Sequence, residues 1–210
     1  MSSTNRGKAR KRNDNYPTPA WVVHRILEHD RIRRLASCPL WIEPGVGNGA
    51  IVQATSGLIT RSGYSRPTWH VFDKRETPFL TRMKHGTVLD VTDVSATKRW
   101  LKGLPGVRLD RVVIGNPPFS HARRFIDVSR EAAANVLLLL RLNFLGSEER
   151  ASFIRGATPD VYVLPNRPSF VKNGKTDSIE YAWFHWHALS GRGDGRLCVL
   201  NTTPKAERKQ

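Results

Sequence analysis

Carboxylates and a glycine loop stand at the ends of apolar runs in this chain. In "WIEPGVGNGA" (41–50), Gly45, Gly47 and Gly49 follow Glu43 and Pro44. Glycines let the backbone turn tightly and approach a ligand closely. The spacing is GxGxG, not the GxGxxG of a dinucleotide site. Glu43 at the loop entrance would repel a pyrophosphate and welcome an ammonium group. Asp73 closes the next apolar run. An acid there can accept both hydroxyls of a ribose; a solvated turn acid beside Lys74 and Arg75 is the plainer alternative. Asp90, in "VLDV", can accept an amino proton of an adenine ring, and Asp93 competes for that part. Together these groups describe a ligand with a ribose, an adenine and a cationic amino-acid tail, and no phosphate. S-adenosylmethionine fits that description.

A second constellation lies in "RVVIGNPPFS" (111–120), where an apolar run ends in Asn116, Pro117, Pro118 and Phe119. Two adjacent prolines donate nothing to a sheet ladder and reject helix. The elbow therefore holds an amide, a carbonyl and an aromatic ring in a stiff arrangement. Taken alone, it could equally be a rigid turn after a strand.

Such residues need elements to position them, and the pattern supplies strands alternating with helices. The strands are expected at 39–44, 68–74, 86–90, 108–116 and 135–144. Helices are expected from about Ala50, over 95–103 and over 121–135, where Phe125, Ile126, Ala132 and Ala133 share one face. Ser147 with Glu148 and Glu149 behind it starts another. Two late strands follow, at 160–165 and 178–188. This order implies an α/β fold, a mainly parallel sheet with helices on both faces. The late strand pair, with no clear helix between, suggests an antiparallel addition at one edge. Ligands on such sheets sit at the carboxyl ends of the strands. Glu43–Gly49, Asp73, Asp90 and Asn116–Phe119 all lie at such ends.

The chain has 210 residues, which suits one domain. We expect a basic disordered tail over 1–13, a single domain over 14–202 and a polar tail over 203–210. Lys and Arg number 34 against 18 Asp and Glu, a net charge of +16. A polyanion is the expected partner, nucleic acid before membrane. Arg10, Lys11 and Arg12 in the first tail, and Arg167, Lys172 and Lys175 in one late loop, are the candidate phosphate contacts. A solubilising tail and a solvated loop are the alternatives. No apolar stretch reaches the roughly 18 residues of a membrane span. The two cysteines, Cys38 and Cys198, match no metal spacing, and no metal site is expected. A reduced cytoplasmic setting, bacterial or phage-infected, is the expectation.

With that ligand in view, the chain resembles the class I S-adenosylmethionine-dependent DNA adenine-N6 methyltransferases of bacterial and phage type. That family carries a [DNS]-P-P-[YFW] motif at the end of its fourth strand; here it is Asn116-Pro117-Pro118-Phe119. Its acid-then-GxGxG motif is Glu43-Pro44-Gly45-Val46-Gly47-Asn48-Gly49. Its Y-x-T-P stretch is Tyr16-Pro17-Thr18-Pro19, with Thr18 suited to cap a helix and Pro19 to its first position. "LRLNFLGSEER" and "LPNRPSFVKNGKTDSIEYAWFHW" look like the C-terminal half of phage-type members. The resemblance runs from about residue 14 to about residue 187. It implies a Rossmann-like fold with a seven-stranded sheet whose last strand is antiparallel. It also implies S-adenosylmethionine as cofactor, with Tyr16, Thr18 and Pro19 at its methionine end or at the lip of the base pocket. Sequence-specific members usually carry a separate target-recognition domain; with about 23 residues after the last expected strand, none is expected here. A recognition partner would fill that gap.

The implied chemistry explains the elbow. An exocyclic adenine amine is a poor nucleophile because its lone pair is delocalised into the ring. Acceptors at the Asn116 side chain and the Pro117 carbonyl would favour a pyramidal nitrogen, with Pro117 and Pro118 fixing the carbonyl in advance. Phe119 can stack on the base, at about 1–3 kcal/mol, or face the sulfonium. Phe170, in "RPSF", is open between a second base-stacking ring and core packing. Trp183, Phe184 and Trp186 read as core, with His185 and His187 on the surface. NPPF motifs also serve methyltransferases of RNA bases and of protein glutamine. A cofactor-binding but inactive nucleic-acid-binding protein is the third reading.

Overall fold

The computed structural model describes residues 17–170, 178–188 and 195–208. Its helices are α1 (Ala20–Leu27), α2 (Asp30–Arg33), α3 (Ala50–Arg61), α4 (Pro78–Arg82), α5 (Val94–Lys102), α6 (Ala122–Ala132) and α7 (Glu148–Gly156). Its strands are β1 (Leu40–Pro44), β2 (Thr68–Asp73), β3 (Gly86–Val88), β4 (Arg111–Gly115), β5 (Asn135–Arg141), β6 (Asp160–Val163), β7 (Tyr181–His187) and β8 (Leu197–Val199). They form one sheet in the order β3-β2-β1-β4-β5-β7-β6-β8.

Both faces of the sheet are covered, so its central strands read as unbroken apolar runs. Side chains alternate between two cores, as the period of two requires. Val112, Ile114, Leu137 and Leu139 join the core that contains α1 and α3 side chains. Val113, Val136, Leu138 and Leu140 join the other, with Ala122 and Ile126 of α6. At the buried start of β4, Arg111 donates to the carbonyls of Leu104, Pro105, Gly106 and Ala132 and pins the preceding loop.

β7 runs antiparallel to both β5 and β6 and lies between them. The antiparallel pair is thus added beside β5 at one end of the sheet, as expected, with β8 as a further strand beyond it. Aromatic burial anchors it. Tyr181, Trp183, Phe184 and Trp186 are all buried. The indoles of Trp183 and Trp186 donate to Val22 and Ala157 carbonyls, one tied to α1 and the other to the residue after α7. Flanking strands also bury His185, which the alternation had put on the surface. Its Nε2 lies 3.1 Å from Asn135 Oδ1, and burial pushes its pKa down to about 3. β8 is an eighth strand, parallel to β6, that sequence reading missed. Residues 203–208, expected as a polar tail, dock on α1: Arg25 reaches Thr203 Oγ1 at 2.9 Å and Glu207 at 2.7 Å. Among the described residues no helix is long and apolar enough to cross a membrane.

β1 and β4 are neighbours, and the chain leaves them in opposite directions across the sheet. A crevice opens at the carboxyl ends of strands at such a reversal. The glycine loop leaves β1 there, and Asn116 to Phe119 leave β4.

Candidate functional site

A cavity of about 800 Å³ occupies that crevice. A space of that size takes a nucleoside-sized ligand with room for a second group. Thr18, Glu43, Gly45, Asp73, Asp90, Asn116, Pro118 and Phe119 all line it. Strand ends far apart in sequence are thus brought to one wall.

The glycine loop is built without a phosphate cradle. Gly45, Gly47 and Gly49 all have positive φ. At Gly49 (φ +77°) a Cβ would also fall 2.3 Å from the Phe79 ring. Six of the eight backbone N–H groups from Gly45 to Val52 already have acceptors. Gly47 N–H donates to Asp73 and Val52 N–H to Glu43, at 3.0 and 3.1 Å. In a phosphate-binding loop those groups point at the ligand instead. The residues present therefore fit a ligand that carries an ammonium and hydroxyls and no phosphate.

Glu43 is buried, and that burial holds its pKa well above the usual carboxylate range, with Asp73 adding to the effect and the Val52 N–H opposing it. Asp73 Oδ2 takes Gly47 N–H, and its Oδ1 takes Arg75 N–H at 3.1 Å. Asp90 is exposed and accepts from the backbone and hydroxyl of Thr92, which lower its pKa. Asp93, the competing acid, is instead the N-cap of α5 and accepts from Ala96 N–H.

Thr18 does not cap α1. Pro19 takes the N-cap position, with no side-chain cap, and Thr18 is buried at the cavity wall. Its Oγ1 accepts from Asn116 Nδ2 at 3.1 Å. The amide is thereby held with Oδ1 left as an acceptor. Phe119 packs beside Tyr181, with ring centres 5.8 Å apart. Arg141, the last residue of β5, stands over the Phe119 ring at 4.5 Å.

Pro19, Pro44, Gly47, Gly49 and Pro117 are not among the residues that line the cavity. Phe170 is buried in the core edge-on to Tyr181, with ring centres 5.1 Å apart, and is not part of the lining. Arg167 pairs with Glu180 and lowers its pKa; a carboxylate therefore already holds this candidate phosphate contact. Arg10, Lys11, Arg12, Tyr16, Lys172 and Lys175 lie outside the described residues. Sequence reading missed Arg141, Asn143 and Arg150 as cavity residues. The signal was present for Arg141: it closes an apolar strand, as Asp73 does.

No family model matches the chain, and no curated protein matches it by sequence. Solved structures do. A Thermoplasma acidophilum protein superposes with a TM-score of 0.55 and 17% identity, over 85% of this chain and 93% of that one. A candidate RNA methyltransferase of Pyrococcus horikoshii gives 0.57 at 15% identity, over 83% and 86%. A candidate class I S-adenosylmethionine-dependent methyltransferase of Listeria monocytogenes gives 0.51 at 12%, over 89% and 64%. With the strand order and the carboxyl-end cavity, these likenesses establish one thing: the chain has the Rossmann-like class I methyltransferase fold.

Proposed function

We propose that this protein transfers a methyl group from S-adenosylmethionine to the exocyclic N6 amine of adenine in DNA. The target base is flipped out of a duplex or already single-stranded, because N6 inside a stack is out of reach. The observation that carries this reading is the Asn116 amide. Thr18 holds its Nδ2, and Oδ1 remains as an acceptor at the cavity wall.

The bound cofactor supplies an electrophilic methyl group on a sulfonium. Everything else falls to the chain. Glu43 holds the ammonium, Asp73 the ribose hydroxyls and Asp90 the adenine amine of the cofactor. Thr18 borders its methionine end. Asn116 Oδ1 and the Pro117 carbonyl accept hydrogen bonds from the two N6–H groups of the target and free the nitrogen's lone pair. Phe119 carries the base. Asn116 is no base, so the proton leaves after methyl transfer, once the nitrogen has become acidic.

A second reading is the same transfer to adenine in RNA. The description of the Pyrococcus horikoshii structure favours it, and these acceptors read the amine rather than the sugar. Protein glutamine is disfavoured by the +16 charge. Incubation with labelled S-adenosylmethionine and DNA or RNA, followed by nucleoside analysis, separates these readings. N6-methyl-2′-deoxyadenosine is the expected product. Label confined to RNA selects the second reading, and label in protein or in neither nucleic acid rejects both.

A further inference from the structure

Arg141 has no task in the transfer chemistry, yet it lines the same cavity as Asn116. Its guanidinium touches the Phe119 ring, and its Nε is buried with no acceptor among the described residues. Neighbouring arginines differ. Arg150 Nε donates to the Phe144 carbonyl at 2.8 Å, and Arg124 Nε to that of Val91 at 2.7 Å. The acids Glu43, Asp73 and Asp90 already accept from backbone N–H groups, of Val52, Gly47 and Thr92. Arg141 thus lines the cavity with its charged, planar guanidinium against a ring and, among the described residues, no acceptor for its Nε.

A buried donor without an acceptor is costly, so a ligand that accepts from it gains affinity. The fork matches two oxygens of one anion. Adenine offers no such pair, because its Hoogsteen edge sets an acceptor, N7, beside the N6 donor. A phosphodiester does. We propose that Arg141 binds a backbone phosphate of the target nucleotide and so anchors the base beside Asn116 and Phe119. The inference rests on the nucleic-acid reading above. Among the described residues the guanidinium has a ring contact and no hydrogen bond at Nε, so it can turn to a phosphate without breaking one there.

The test is binding of a labelled single-stranded oligonucleotide containing one adenine, with S-adenosylhomocysteine present, titrated across salt. Arg141→Gln is expected to weaken binding about tenfold, as for a lost charged hydrogen bond. It should also reduce the slope of log affinity against log salt by about 0.7, one phosphate's share on a single strand. Arg141→Lys, which keeps the charge, should restore most of the slope. Arg66→Gln, in the exposed loop before β2 at the opposite end of the sheet, should leave both unchanged. An unchanged slope for Arg141→Gln overturns the inference. So does a loss confined to cofactor affinity, which would assign Arg141 to the cofactor carboxylate. A wild-type protein that binds no oligonucleotide removes the substrate reading itself, a distinct failure.

Discussion

At the scale of the residue, Glu43 costs stability at neutral pH, and on the proposed reading it does so for the sake of binding. Its folded-state pKa is raised by burial, so the folded chain holds a proton that the unfolded chain has lost. Stability from this group is present below the unfolded carboxylate range and falls as pH rises toward the folded pKa. Glu43→Gln keeps an acceptor for Val52 N–H. Melting scans from pH 4 to 8 should find it equal to wild type at pH 4 and more stable at pH 7. Cofactor affinity should fall about 10- to 100-fold, as for a lost charged hydrogen bond. On the proposed reading, Thr18 acts one step back from the chemistry, through its hydrogen bond to Asn116. Thr18→Val leaves the Asn116 amide unheld, and kcat should drop about tenfold, in line with one unsatisfied polar group. That Glu43 and Asn116 line one cavity was legible, because both stand at the ends of apolar runs read as strands. The Thr18–Asn116 hydrogen bond was not, since it joins residues 98 apart in sequence and needs the sheet to bring them together.

At the scale of the element, the glycine loop and β7 are the sensitive parts. Gly49→Ala must hold a left-handed φ and push the Phe79 ring aside. The left-handed backbone alone costs about 1–2 kcal/mol. Calorimetry should record a Tm lower by about 2–8 °C for a chain of this size. Within β7, His185 is neutral with a pKa of about 3. The unfolded chain protonates first, so stability is full above pH 6.5 and is lost as pH falls toward 3. His185→Gln should flatten that acid limb in a melting-versus-pH series. The alternation of strands and helices was readable from apolar periodicity. The placement of β7 between β5 and β6 was not, because only pairing partners decide whether an aromatic strand is edge or centre. β8 escaped because three residues of "LCV" carry no period.

At the scale of the whole molecule, the chain carries a net charge of +16, while Glu43, Asp73 and Asp90 line the cavity. On the proposed reading, the first attracts the substrate and the acids recognise the cofactor. Removing residues 1–12 deletes five basic side chains, Arg6, Lys8, Arg10, Lys11 and Arg12. A shallower salt dependence of DNA binding, with cofactor affinity unchanged, is the expected result. The central claim, that Asn116 holds the amine that accepts the methyl group, has a more direct test. Single-turnover transfer from labelled S-adenosylmethionine to adenine-containing DNA should be compared for wild type and Asn116→Ala. Loss of transfer by at least about 100-fold with cofactor binding intact is predicted, the scale of one lost preorganised contact to the reacting group. Transfer to adenine at the wild-type rate would contradict it.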